Sequence, residues 1–375
     1  MKVLLVGTGG YATGYVKALI SAKKRDFTFE GAVDPYYTLS KAKPLIDEAG
    51  IPVYNTMEEF YLHHTADLAV ICTPPFLHRE QCLTALRHGS YVLCEKPIAP
   101  TVKEAEEMLA AEKEYGKFIA IGYQWSYSEA IQALKRDILD GLYGKPIAMK
   151  TAISWPRNRA YYARGGGWGG RIEKDGVMIL DSIASNACAH YLHNMLFLLG
   201  KTMETSVEIA SVTGECYRAN DIESFDTCTI RLTAEDGTPL YFVASHAAGR
   251  KKNPEFLYTF ENGEITFSED EDSIIRARLA DGREICYGDP FKSNFKKLWD
   301  VMDAIHDGKT PICTVQTALP HTRLIGRMYE EIPITDFPER DIVTLEDTDT
   351  VAVTGLFDRM YAAYDRCALL SEIRE

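Results

Sequence analysis

The stretch Val3-Leu4-Leu5-Val6-Gly7-Thr8-Gly9-Gly10-Tyr11-Ala12 decides the fold. Four apolar residues in a row form a strand too short and too uniform for a surface ribbon, and they run straight into a G-x-G-x-x-A turn. Glycines there permit the tight bend from strand to helix and let backbone N–H groups close on a pyrophosphate, an anion that the helix N-terminus favours. Thr8, Gly10 and Tyr11 occupy the variable positions of that turn. The next apolar run ends in Ala32-Val33-Asp34, 22 residues past Ala12. An acid at the end of that strand accepts hydrogen bonds from an adenosine ribose and repels a 2′-phosphate, which favours NAD over NADP.

Working outward, Thr28–Asp34, Leu68–Thr73, Tyr91–Lys96 and Phe118–Gly122 read as further strands between amphipathic, helix-length segments. Continuous apolar strands alternating with helices specify a parallel sheet covered on both faces. Thr101-x-x-Glu104 opens one of those helices as a capping box, and Gly116 closes it. Beyond Gln124 the pattern changes. A helix ends near Asp140-Gly141, a Gly-rich loop and a long helix follow, and Val207–Val212, Phe225–Leu232, Leu240–Ala247, Phe256–Phe260 and Ser273–Leu279 alternate with period two. That is an antiparallel sheet in an α+β domain. The expected organisation is an α/β Rossmann domain over 1–122 and an α+β domain over 123–375. Helical periodicity recurs at Phe295–Ile305, and 332–375 supplies a connection and a last helix near Val353–Leu370.

Bulk properties narrow the partners. The 375 residues carry a formal charge of -13, which repels nucleic acid and anionic membranes, and no basic patch offsets it. The apolar run at the start is too short for a secretory segment, and no run approaches the ~18 apolar residues of a membrane span. Nine cysteines without a C-x-x-C pair suit free thiols in a reducing compartment, so a cytoplasmic protein is expected.

Tyr91-Val92-Leu93-Cys94-Glu95-Lys96-Pro97 puts a lysine at the carboxyl end of a parallel strand, the edge where open α/β sheets hold ligands. Pro97 disfavours the α region for Lys96 and holds it extended. Together, Gly7-x-Gly9-x-x-Ala12, Thr73-Pro74-Pro75-x-x-His78, Ala85-Leu86-x-x-Gly89 and Glu95-Lys96-Pro97 resemble the successive landmarks of the glucose–fructose oxidoreductase / inositol dehydrogenase / rhizopine-catabolism (Gfo/Idh/MocA) family. The likeness extends to about Tyr329. It implies a Rossmann domain followed by a substrate-binding and oligomerisation domain, built on a large open, mainly antiparallel β-sheet. The same resemblance implies an NAD(P)-linked sugar or cyclitol dehydrogenase, cofactor contacts from Thr73, Pro74, Pro75, His78, Glu95, Lys96 and Gln124, and a homodimer or homotetramer formed through that sheet. Tyr123 and Gln124 match family positions near the nicotinamide, with Ser126 where an arginine is frequent.

Farther on, Asp181-Ser182 caps a helix expected over Ala184–Leu199. Asn186, His190 and His193 fall on one stripe of such a helix. The resemblance places the family's D-x-x-x-H-x-x-D here, with Asn186 and His193 replacing its two acids and His190 its histidine. An Asn can orient His190 or a substrate but carries no charge to stabilise an imidazolium. Zinc held by Cys188, His190 and His193 is disfavoured because Cys188 faces away and a fourth ligand is lacking, so no metal is expected. The loop from Trp155 to Arg171 combines five glycines, four aromatics and four arginines. It lacks G-K-[ST], while Arg157, Tyr161 and Trp168 suit a sugar ring with hydroxyls or a carboxylate. The expected catalytic set is Lys96, His190 and Asn186, with Tyr123 and His193 also facing the substrate. Two rivals share this framework: an NAD-dependent, redox-assisted glycosidase or lyase, and a cofactor-sensing regulator without turnover.

Overall fold

The computed structural model describes residues 1–22, 25–292 and 294–373. The chain divides into two compact units, Met1–Tyr127 with Ser293–Leu319, and Ser128–Lys292 with Pro320–Glu375.

In the first unit β1 (Lys2–Val6), β2 (Thr28–Val33), β3 (Val53–Tyr54), β4 (Leu68–Ile71), β5 (Tyr91–Cys94) and β6 (Ile119–Ile121) form one sheet in the order β3-β2-β1-β4-β5-β6. Every pairing is parallel. Val3–Val6 and Leu68–Ile71 are buried, as strands covered on both faces must be. Strand order reverses between β1 and β4, so the carboxyl ends of those two strands flank the crevice where such sheets take ligands. The helix Val102–Tyr115 has the Thr101–Glu104 capping box and a left-handed Gly116 at φ 64°. β3 is two residues long, too short for any periodicity to mark it in sequence.

The helix Lys296–Asp307 follows the second domain's strands in sequence yet belongs to the first unit. Its amphipathic pattern shows that one face is buried but not against what. Phe295, at its start, stacks on Tyr11 (5.7 Å between centroids) and meets Tyr15 edge-on (5.0 Å). Gly14 allows this approach, since a Cβ there would sit 2.2 Å from the Phe295 ring.

The second unit contains β7 (Pro146–Ser154), the hairpin β8–β9 (Glu173–Lys174, Val177–Met178), β10 (Ile209–Arg218), β11 (Thr227–Ala234), β12 (Pro239–Ser245), β13 (Lys252–Phe260), β14 (Gly263–Ser268), β15 (Ile275–Leu279), β16 (Glu284–Gly288), β17 (Ile334–Asp336) and the hairpin β18–β19 (Ile342–Leu345, Thr350–Val353). The two hairpins stand apart, and the other nine strands form one sheet in the order β16-β15-β14-β13-β7-β12-β11-β10-β17. It is antiparallel except at β7/β12 and β10/β17. Phe256, Tyr258 and Phe260 are buried while Leu257 and Thr259 are only partly so, the period-two pattern expected of a sheet with one covered face. The helix Leu356–Arg366 packs Leu356, Met360 and Ala363 against Ala152, Tyr241 and Val243.

Three departures from the sequence expectations matter for function. The central strand β7 carries little signal of its own, because Pro146–Ser154 mixes Lys150, Thr151 and Ser154 with small apolar residues and shows weak alternation. The Trp155–Arg171 segment is not all loop. Asn158 caps a helix at Arg159–Gly167 by accepting a hydrogen bond from Tyr161 N, and the helix kinks at Arg164–Gly166. The helix expected at Ala184–Leu199 is two pieces, a π-helical turn at Ile183–Ala187 and an α-helix at Ala189–Leu198. Among the described residues no helix is long and apolar enough to cross a membrane.

Candidate active site

The nucleotide turn grows directly out of β1. Gly7 has φ 86°, and a Cβ there would lie 2.8 Å from the carbonyl oxygen of Cys72, just past β4. Only glycine lets the turn pass so close to the neighbouring strand. Gly9 and Gly10 are exposed, and a Cβ at either would meet nothing within 4 Å, so the backbone edge of the turn is open. Ala12 N and Thr13 N donate to Gly9 O and Gly10 O as the helix Ala12–Ser21 begins.

Asp34 is built into this turn. Its Oδ2 accepts from Thr8 N (2.9 Å) and the Thr8 hydroxyl (2.6 Å), and Oδ1 accepts from Tyr36 N (2.8 Å). A carboxylate offers about four acceptor positions. Three are in use, and Oδ1 retains room for a ribose hydroxyl. An open glycine turn at a strand-order reversal, with an acid fixed beside it, fits an adenine dinucleotide. Tyr11, 46% exposed, donates to Gln124 Oε1 at 3.0 Å and so ties the turn to the segment after β6.

Lys96 follows β5 by two residues and is partly exposed, with a cis peptide bond to Pro97. The groups around it are structural. Glu95 is buried, and its carboxylate accepts from Tyr15 Oη (2.6 Å), from Lys297 Nζ (2.5 Å) and from Lys96 N (3.3 Å). Lys297 is fully buried and also donates to Gly122 O at 3.1 Å. Burial works against its charge, yet Glu95 and Tyr11 hold its pKa above the ordinary lysine value. A Cβ on Gly122 would lie 2.9 Å from the Glu95 carboxylate, which explains the glycine. His78 is buried, with Nδ1 2.9 Å from Pro97 O and 3.1 Å from Ile98 O, and Nε2 2.9 Å from Thr73 O. Burial lowers its pKa, against the pull of those carbonyls. Glu95 and His78, both expected at the cofactor, are therefore enclosed groups that fix the backbone on either side of Lys96. Thr73 donates to Gln81 at 2.5 Å, and Pro74 and Pro75 are partly exposed beside it. Tyr123, expected at the substrate, is fully buried.

In the second unit the π-helical turn changes what Asn186 can do. Ser182 caps it through a reciprocal pair with Ser185, and Asn186 Nδ2 donates to Asp181 Oδ1 at 2.8 Å. Asp181, read from sequence only as part of a cap, is a buried carboxylate that also accepts from Gly170 N (2.7 Å) and lies 3.6 Å from Arg164. It restores beside Asn186 the negative charge that the Asn itself lacks. An acid five residues upstream is out of α-helical register, so only the π turn reveals the pairing. His190 is partly buried on the Ala189–Leu198 helix. His193 is 1% exposed, stacks on Phe197 and has its pKa pushed well down by burial, with His321 and Lys135 adding to the effect. It is a packing residue, which corrects the expectation that it faces the substrate.

The arginine-rich segment packs cation on ring. Arg164 lies over the rings of Tyr161 (3.7 Å) and Trp168 (4.5 Å), and Arg157 over Tyr161 (4.9 Å) and Trp155 (5.5 Å). Trp168 is buried. His246, which no motif in the sequence marks, contacts Tyr161 edge-on and lies 2.7 Å through Nδ1 from Trp155 O. Burial and the two arginines pull its pKa down to about 3, so it is neutral near pH 7. Among the described residues no group of three His, Cys, Asp or Glu is placed to hold a metal.

Residues 1–123 match the family model described as an oxidoreductase family with an NAD-binding Rossmann fold. The chain is similar to a 1,5-anhydro-D-fructose reductase from Ensifer adhaerens, 32% identical over 162 residues that cover 42% of this chain and 45% of the relative. It is also similar to a 2,7-anhydro-N-acetylneuraminate hydratase from Mediterraneibacter gnavus, 26% identical over 192 residues, 49% of each chain. The chain thus spans about half the length of these curated relatives. A crystal structure of an oxidoreductase from Agrobacterium radiobacter in complex with NAD+, L-tartaric acid and magnesium shares the fold, with a TM-score of 0.72, 18% identity and coverage of 88% of this chain and 95% of that one.

Proposed function

We propose that the protein is an NAD-dependent oxidoreductase acting on a hydroxyl-bearing carbon of a sugar, cyclitol or sugar derivative. The observation that carries this reading is the open Gly7–Ala12 turn with Asp34 fixed beside it, in the same unit as a lysine whose backbone is pinned by Glu95 and His78. Gly9 and Gly10 would hold the pyrophosphate, and Asp34 a ribose hydroxyl. Bound NAD supplies a two-electron acceptor or donor at its nicotinamide. Lys96 holds the substrate hydroxyl and stabilises negative charge on its oxygen as the C–H bond breaks. His190 takes the hydroxyl proton, oriented by Asn186 and its carboxylate partner Asp181. In the reverse direction His190 returns the proton while Lys96 again holds the oxygen.

The test is to purify the protein, identify any carried-over dinucleotide by mass spectrometry, and screen sugars, cyclitols, uronates and glycosides for NADH formation. Lys96→Met should lose turnover and keep NADH binding; near-wild-type turnover in that variant removes the lysine from the mechanism. The similarity to a hydratase favours a second reading, a redox-assisted lyase or glycosidase with no net NADH, which aglycone release without NADH accumulation would identify. A regulator without turnover would instead bind dinucleotide and leave every sugar unchanged. Association into a dimer or tetramer would run through the sheet, where Glu264 and Thr266 of β14 and Arg276 and Arg278 of β15 are exposed. Light scattering reads that state. The free cysteines support a reducing, cytoplasmic setting.

A further inference from the structure

Four arginines lie between Trp155 and Arg171, and three have carboxylate partners. Arg159 pairs with Asp349 at 2.8 Å, Arg171 with Glu223 at 2.6 Å, and Arg164 with Asp181 at 3.6 Å. Arg157 differs. Among the described residues its guanidinium has no carboxylate within ion-pair distance, and its buried Nε has no hydrogen-bond partner. The rings of Trp155 and Tyr161 hold the group in place but offer it no oxygen acceptor. Another acid close to this segment, Asp226, is already occupied by Ala219 N, Asn220 N, Asn220 Nδ2 and the Thr227 hydroxyl.

A guanidinium fork is matched to planar or tetrahedral oxyanions and binds them through paired, charge-assisted bonds. Among the described residues, exposed cations such as Lys41 and Arg278 also lack a carboxylate partner, but they are solvated, whereas Arg157 is half-buried with its Nε shielded from water. We infer that Arg157 anchors an anionic group, a carboxylate or a phosphate, on the substrate, so that the protein takes a sugar acid or sugar phosphate in preference to a neutral sugar. The neutral state of His246 agrees with the positive field of Arg157 and Arg164 in its surroundings. The inference rests on the reading of this unit as the sugar-binding part of an oxidoreductase.

The experiment is calorimetric titration of the NAD-loaded protein with a hexuronate, a hexose 6-phosphate and the parent hexose, followed by absorbance measurement of NADH in the same mixtures. One anion should bind about tenfold more tightly than the hexose, or better, and Arg157→Gln should remove that advantage while Arg157→Lys restores part of it. The carboxylate and phosphate arms identify which anion is meant. Equal affinities for all three sugars, or anion binding unchanged in Arg157→Gln, would overturn the anchor. NADH formed with no preference for charge would overturn the anchor and leave the oxidoreductase reading standing. Anion binding lost in Arg157→Gln without NADH from any sugar would uphold the anchor and sink that reading.

Discussion

Replacing Lys297 by Met should strip the buried Glu95 of its cation and unsettle the backbone that presents Lys96. The ammonium lies 2.5 Å from Glu95 Oε1 and 3.1 Å from Gly122 O, with no exposure to solvent. Removing one partner of a buried pair costs about 3–5 kcal/mol, because the remaining charge has lost both water and counter-ion. At about 2–4 °C per kcal/mol for a unit of this size, the melting point should fall by roughly 6–20 °C. Tyr15 and the Lys96 amide still donate to Glu95, so the lower end is expected if they compensate well. Adding Glu95→Gln to Lys297→Met removes the orphaned charge and leaves a neutral amide whose oxygen can accept from Lys96 N while its NH2 donates to the Tyr15 hydroxyl. Calorimetry on Lys297→Met, Glu95→Gln and the double variant separates these terms, with the double variant recovering most of the loss. A Lys297→Met protein within about 0.5 kcal/mol of wild type, or a double variant no better than that single one, would refute the reasoning.

Asp34→Ala should raise the Kd for NAD about tenfold or more by removing a charge-assisted bond of about 1.5–3 kcal/mol, and narrow the preference over NADP, as read by fluorescence titration; an unchanged preference would leave Asp34 a turn residue. Gly7→Ala should cost about 1–3 kcal/mol from its positive φ alone, with further loss from the Cys72 contact, and abolish NAD binding; a variant that melts and binds like wild type would contradict the close approach. His246 has a folded pKa of about 3 against an unfolded value near 6.5, so its contribution to stability is complete above about 6.5 and shrinks as pH falls toward 3. His246→Gln should therefore flatten the acid limb of a stability–pH curve, and an unaltered limb would count against the neutral buried histidine.

Much of the first unit is legible in the sequence because parallel strands such as Val3–Val6 and Leu68–Ile71 are apolar throughout and end in glycine or a turn. The second sheet is less so. β7 mixes polar and small residues, since its neighbours rather than its own alternation determine its burial. In the candidate site the glycines, Asp34 and Lys96 are readable from strand ends. Asp181 is hidden by the π turn, and Lys297 by its separation of 202 residues from Glu95, which no local pattern spans. His193 matches a motif position but packs inside because the helix face it shares with Phe197 is buried. Burial of a polar stripe is a tertiary fact, and helical spacing alone does not decide it.

Transfer of deuterium offers the most direct measurement. A panel of sugars carrying deuterium on every carbon, incubated with the NAD-loaded protein, should yield dinucleotide with one deuterium on the nicotinamide ring by mass spectrometry. Sugar conversion that leaves the nicotinamide unlabelled, or a full panel that leaves it unreduced, would contradict the proposed hydride chemistry.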